Sequence, residues 1–175
     1  MKKILAFSGS NSSKSINHLL LTYAVSLIEN HEINLIDLRD YDAPIFSIDL
    51  ESDEGLPKKI KDLEKLISKY DTLIIALPEH NGSMTSFFKN ILDWLTRVNH
   101  QFLKNKKLLL LSTSPGKYGA KFGLEHTASI LPRFGGELID TYNLGGFYEI
   151  VNLENGFELR DEEKLIELKG IISKL

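Results

Sequence analysis

No cysteine occurs in this chain of 175 residues. That excludes disulfides, cysteine-ligated zinc, iron–sulfur clusters and thiol catalysis. A basic excess is also missing: 21 Lys and Arg stand against 24 Asp and Glu, a formal net charge of −3, and no Lys/Arg-rich run occurs. A nucleic-acid partner would find no attracting field here. No apolar run approaches the ~20 residues that cross a bilayer. The first strand starts almost at once, which leaves no room for a signal peptide. The expectation is a cytoplasmic protein without a membrane partner. The five histidines (His18, His31, His80, His100, His126) show no close pairing with metal-ligand spacing, so no metal is expected. Two phosphate-binding signatures are absent as well. No Gly-Lys-Ser/Thr follows Gly9 at P-loop spacing, and Gly9 stands alone where a dinucleotide fingerprint needs three spaced glycines.

What is present is an alternation of apolar runs and amphipathic segments. Strands are expected at Ile4–Ser8, Glu32–Leu38, Thr72–Leu77, Lys107–Thr113 and Glu137–Thr141. Helices are expected at Ile16–Asn30, Leu56–Tyr70, Thr85–Val98, Ala120–Phe134 and Asp161–Leu175. In the first helix, Leu19, Leu20, Tyr23, Ala24 and Leu27 share one face. The polar segment Asp40–Gly55, with Pro44 inside, reads as a long connection. Hydrophobic content of 42% and this length suit one domain over residues 1–175. The alternation implies an α/β fold: a doubly wound, five-stranded parallel sheet of order 2-1-3-4-5. In that plan the strand order reverses between the first and third strands, and ligands bind beyond the carboxyl ends there.

The loops at those ends are the most unusual segments. After the first strand comes Ser8-Gly9-Ser10-Asn11-Ser12-Ser13-Lys14-Ser15-Ile16-Asn17. Hydroxyls, amides and unpaired backbone N–H groups converge at the positive end of a helix dipole, which suits a monophosphate. From this loop alone, a Ser15 helix cap beside solvated filler explains the residues equally well. After the third strand comes Pro78-Glu79-His80-Asn81-Gly82-Ser83-Met84, where Asn81-Gly82 signals a tight turn. Such a turn directs backbone polar groups outward, as the edge of a flat heterocycle requires, although turn chemistry is general. After the fourth strand, Ser114-Pro115-Gly116-Lys117-Tyr118 offers a backbone surface without side-chain obstruction at Gly116.

These residues resemble the motifs of the NADPH-dependent FMN reductase family. Members carry Gly-Ser-x-Arg-x-x-Ser-x-Asn, matched here by Gly9, Ser10, Ser15 and Asn17. They also carry Pro-Glu-Tyr-Asn-Gly-Ser and then Lys-Asn-x-x-Asp-Trp. Here these are Pro78, Glu79, Asn81, Gly82 and Ser83, then Lys89, Asn90, Asp93 and Trp94. Their Ser-Pro-Gly loop matches Ser114, Pro115 and Gly116. The resemblance implies a flavodoxin-like three-layer sandwich. It places Ser10, Ser12, Ser15, Ile16 and Asn17 at an FMN phosphate. Pro78, Glu79, His80, Asn81 and Gly82 would border the ring and ribityl chain, and Ser114, Pro115 and Gly116 would cover the ring's other side. The implied activity passes hydride from NADPH or NADH to FMN and then reduces flavin, quinone or azo-type acceptors, with no side chain required as nucleophile or base. Glu79 is read as a cap or ribityl contact and Asp93 as helix surface. The implied assembly is a homodimer or homotetramer. The alternative is a flavodoxin-like electron-transfer or FMN-binding module without NAD(P)H turnover. Two departures stand out: the family's phosphate-binding Arg falls at Ser12, and its Tyr falls at His80. Hydroxyls, amides and Lys14 are then left to meet the phosphate charge.

Overall fold

The computed structural model describes residues 1–175. Five parallel strands form the central sheet: β1 (Lys3–Ser8), β2 (Glu32–Leu35), β3 (Thr72–Ala76), β6 (Lys107–Thr113) and β7 (Glu137–Leu144). Their spatial order is β2-β1-β3-β6-β7, which is the expected order 2-1-3-4-5 of the five core strands. Two short hairpins stand outside it. One pairs β4 (Glu79–His80) with β5 (Ser83–Met84), and the other pairs β8 (Val151–Asn152) with β9 (Glu158–Leu159). The helices are α1 (Ile16–Ser26), α2 (Ile48–Glu54), α3 (Lys58–Ile67), α4 (Ser86–Val98), α5 (Lys121–Ile130), α6 (Phe147–Ile150) and α7 (Glu162–Ile172). No helix is long and apolar enough to cross a membrane.

Period-two alternation in the central strands divides the core between two faces. Leu5, Phe7, Leu73, Ile75, Leu108 and Leu110 join Ile60 of α3, Phe88, Ile91 and Trp94 of α4, and Leu124 of α5. Their neighbours in sequence, Ile4, Ala6, Ile74, Ala76, Leu109 and Leu111, join Leu20, Leu21 and Ala24 of α1 and Leu168 and Ile171 of α7. Apolar runs without polar interruption are what a sheet covered on both sides requires. Each fully buried aliphatic side chain contributes roughly 1.5–3 kcal/mol.

Several boundaries differ from the sequence expectation. The second strand ends at Leu35, because the Asp37 carboxylate accepts from Arg39 N and opens a 3₁₀ turn at Leu38–Tyr41. The connection Asp40–Gly55 contains α2, which Ser47 caps by accepting from Leu50 N and which ends at Gly55. The helix expected through Phe134 stops at Ile130 and continues as a 3₁₀ turn over Leu131–Phe134. Pro132 has no N–H to donate and its ring clashes with the turn before it. In α1 the buried face is Asn17, Leu20, Leu21 and Ala24, whereas Leu19 is 37% exposed. The helix ends at Ser26, and the fifth core strand continues three residues beyond Thr141, to Leu144.

Candidate functional site

The carboxyl ends of β1, β3 and β6 are tied together by a few short polar contacts. Gly9 N donates to Ala76 O at 2.8 Å. Thr85, at the start of α4, donates from Oγ1 to Gly9 O at 2.7 Å and accepts from Phe88 N, so one hydroxyl caps a helix and fixes the first loop. Asn17 is buried, at 3% exposure. Its Nδ2 donates to Thr113 O at 3.0 Å, and its Oδ1 accepts from Thr113 N at 2.9 Å. The entrance of α1 is thereby locked to the end of β6.

Within the first loop the hydroxyls are arranged in a consistent way. Ser10 Oγ accepts from Ser12 N, Ser12 Oγ from Lys14 N, and Ser15 Oγ from His18 N, at 3.1, 3.2 and 3.2 Å. A hydroxyl has one proton to donate. With the oxygen engaged by the backbone, that proton is left for an external acceptor. The backbone N–H groups of Ser13, Ser15, Ile16 and Asn17 make no hydrogen bond within the chain. This is a donor-rich set at the positive end of a helix, matched to an acceptor-only anion. Ser8, Ser10, Ser12, Ser13 and Ser15 border a cavity of about 40 Å³. One water needs ~10–15 Å³, so the space suits a group of phosphate size. The chemistry and dimensions fit the phosphate of FMN.

His18 and the segment Ile36–Arg39, which follows β2, also border this cavity. Sequence reasoning missed these residues because it continued the strand through Leu38. The signal was available: in a 2-1-3 order, the loop after the second strand flanks the loop after the first. Arg39 Nε lies 2.9 and 3.0 Å from the two Asp37 carboxylate oxygens, and Nη2 also donates to Oδ2. The guanidinium holds the Asp37 carboxyl below the usual carboxylate range, and the carboxylate in turn raises the Arg39 value.

The loop after β3 forms the β4–β5 hairpin. Asn81 and Gly82 adopt φ of 53° and 76°, the left-handed pair that a tight two-residue hairpin demands and that Asn-Gly accommodates at low cost. His80, Asn81 and Gly82 are exposed at its tip. Pro78 and Glu79 are half-buried, and the Glu79 carboxylate turns away from the tip. It accepts from Gly123 N at 2.7 Å and caps α5, whose own N-terminal residue Ala120 provides no side-chain cap. Ser83 Oγ lies 2.9 Å from His126 Nδ1, a second link between hairpin and α5 that sequence reading did not identify. Together, His80, Asn81, Ser83, Met84, Ser86, Lys89 and His126 border an open groove of about 340 Å³.

The loop after β6 is anchored from beneath and exposed above. Ser112 Oγ donates to Gly119 O at 2.7 Å, Gly146 N to Gly116 O at 3.0 Å, and Phe147 N to Ser114 O at 3.2 Å. The backbone crosses so closely here that a Cβ on Gly145 would lie 2.1 Å from Lys117 O. Pro115, Gly116, Lys117 and Tyr118 remain exposed, with Lys117 Nζ 4.9 Å from the centre of the Tyr118 ring.

The motif on α4 serves the scaffold. Asn90 Oδ1 accepts from Phe46 N at 2.8 Å, while Nδ2 donates to Ala43 O and Pro44 O at 3.0 and 3.1 Å. Trp94 Nε1 donates to the same Pro44 O at 2.8 Å. Lys89 and Asp93 pair one turn apart on the helix surface.

Comparison with known proteins agrees with this architecture. The family model described as NADPH-dependent FMN reductase matches residues 2–146. An NAD(P)H-dependent FMN reductase of Pseudomonas aeruginosa is 32% identical over 133 residues, spanning 74% of this chain and 70% of that protein. An uncharacterized protein of Mycoplasma pneumoniae is 33% identical over 164 residues, spanning 89% and 93%. The structure of FerB, a flavoenzyme NAD(P)H:(acceptor) oxidoreductase from Paracoccus denitrificans, gives a TM-score of 0.82 at 26% identity, covering 99% of this chain and 94% of that one. The chain belongs to the NADPH-dependent FMN reductase family and is an FMN-dependent NAD(P)H oxidoreductase.

Proposed function

We propose that FMN binds with its phosphate among Ser10, Ser12 and Ser15 and the N–H groups of Ile16 and Asn17. Its ring lies between the Pro78–Gly82 hairpin and the Ser114–Gly116 loop. The observation that carries this reading is the tying of all three loops into one rim by Thr85–Gly9 and Asn17–Thr113. When bound, FMN supplies the hydride acceptor and the electron store. The chain's own part is positioning and electrostatics. Hydroxyl protons and first-turn N–H groups hydrogen-bond the phosphate. The N–H groups of Asn81, Gly82, Gly116 and Lys117 make no hydrogen bond within the chain. They provide fixed dipoles for the negative charge of a reduced ring. His80 at the hairpin tip contacts the ring edge, while Glu79 acts through α5. We name no catalytic residue.

The acceptor in this reading is a quinone or an azo compound, taken at the exposed face of the rim. Residues 1–175 act as one unit, in the cytoplasm, as a homodimer or a higher assembly of it. Tyr118, Phe122 and Tyr148, at 56%, 53% and 66% exposure, support a paired assembly beside the Ser114–Gly116 loop. Titrating the apoprotein with FMN, then measuring NADH and NADPH oxidation with a quinone, an azo dye and free FMN, tests the proposal. The expected result is saturable flavin binding, quinone- or azo-dependent oxidation of the nucleotide, and the mass of at least two chains by light scattering. A protein that FMN does not quench or tint would remove the reading.

A further inference from the structure

The family's phosphate-binding arginine falls at Ser12, so the first loop lacks its cation. Lys14, in the same loop, is exposed and does not border the cavity. Among the residues that border it, Arg39 alone is a lysine or arginine. It comes to the cavity from the connection after β2. Nε and Nη2 grip the Asp37 carboxylate, whereas Nη1 makes no hydrogen bond within the chain. A guanidinium carries its donors in a planar fork, so one edge can be held while another faces an anion. The Asp37 carboxylate, which would otherwise repel a phosphate, is already matched in charge. It also accepts from Arg39 N at 3.0 Å, which fixes the backbone that carries the guanidinium.

We propose that Arg39, oriented by Asp37, is the cation of the FMN phosphate site and replaces from the second connection the arginine that the first loop has lost. The inference rests on the FMN reading above. Riboflavin separates the two, because it presents the same ring without the phosphate. Arg39→Gln should weaken FMN binding by about tenfold to a hundredfold, the effect of one charge-assisted hydrogen bond, and leave riboflavin binding within about twofold. The double variant Asp37→Asn/Arg39→Gln, which strands no carboxylate, should show the same FMN-selective loss. Adding Ser12→Arg to Arg39→Gln should restore FMN binding. In the otherwise native protein Ser12→Arg should gain much less, because the charge is already met. Titrations of apoprotein followed by flavin fluorescence read every arm without turnover. If the native protein binds FMN and the Arg39 variants lose FMN and riboflavin alike, or neither, the assignment of Arg39 is overturned. Ser12→Arg tightening FMN binding to the otherwise native protein by about tenfold or more would overturn it independently, even if Arg39→Gln fails to fold. A native protein that binds neither flavin would overturn the FMN reading itself.

Discussion

Asn17 shows how one residue can match a motif and carry a different task. Its amide is consumed by both backbone groups of Thr113, so the side chain joins α1 to β6, while its backbone N–H makes no hydrogen bond within the chain. Replacing it with a side chain of similar size but no polar atoms leaves the Thr113 N–H and C=O buried without partners. Asn17→Leu should therefore destabilise the apoprotein by about 1–3 kcal/mol, read as a lower urea midpoint at unchanged slope. Ser15 caps α1, one of the two readings that the sequence left open, and also borders the cavity beside the first loop. No motif marks Arg39, since its place beside the same cavity as the first loop depends on strand order and on a strand that ends three residues earlier than its apolar pattern suggests.

The periodicity of α5 was visible in the sequence, but its docking was not. The helix lacks a capping side chain of its own and borrows the Glu79 carboxylate from the β4–β5 hairpin, 44 residues earlier. An anionic cap at a helix N-terminus gains from both the unpaired N–H groups and the dipole. Glu79→Ala should cost about 0.5–2 kcal/mol and should raise amide exchange in the first turn of α5 more than in α1. Equal loss of protection in both helices would show that Glu79 acts on the whole fold rather than on this contact. The same hairpin carries Asn81 and Gly82, which the proposed FMN mode sets beside the ring, so in that mode loosening α5 should also weaken ring binding. The connection Asp40–Gly55 is a parallel case: Asn90 and Trp94 hold its backbone at Ala43, Pro44 and Phe46, a task that no local pattern marks.

At the scale of the molecule, the two-faced sheet makes stability depend on groups far from the site. Tyr142, on β7, is 1% exposed, and its hydroxyl donates to Lys164 O of α7 at 3.1 Å. Burial pushes its phenol well above the ordinary value, with Glu167 and Asp161 adding to the rise. An ordinary phenol loses its proton near pH ~10. Above that pH the unfolded chain has released a proton that the folded chain retains, so the unfolded state binds fewer protons and stability falls as pH rises. Tyr142→Phe should remove this part of the alkaline loss while costing about 0.5–1.5 kcal/mol near neutrality for the hydrogen bond. Urea melts from pH 7 to 11 on both proteins give the comparison, and parallel curves would exclude Tyr142 as the source.

The order of strands and helices, the layered core and the three loops of the rim were legible in the sequence, because period-two and period-3.6 burial and turn chemistry are local properties of the chain. The resemblance of the loop motifs added the cofactor. What tertiary structure decided was which polar atoms remain free once the loops meet. Asn17 turned inward, Glu79 turned to a helix end, and Arg39 arrived from a connection that the sequence read as strand and linker. Hydrogen-bond partners distant in sequence are selected by distance and direction in space, and no linear pattern encodes that competition.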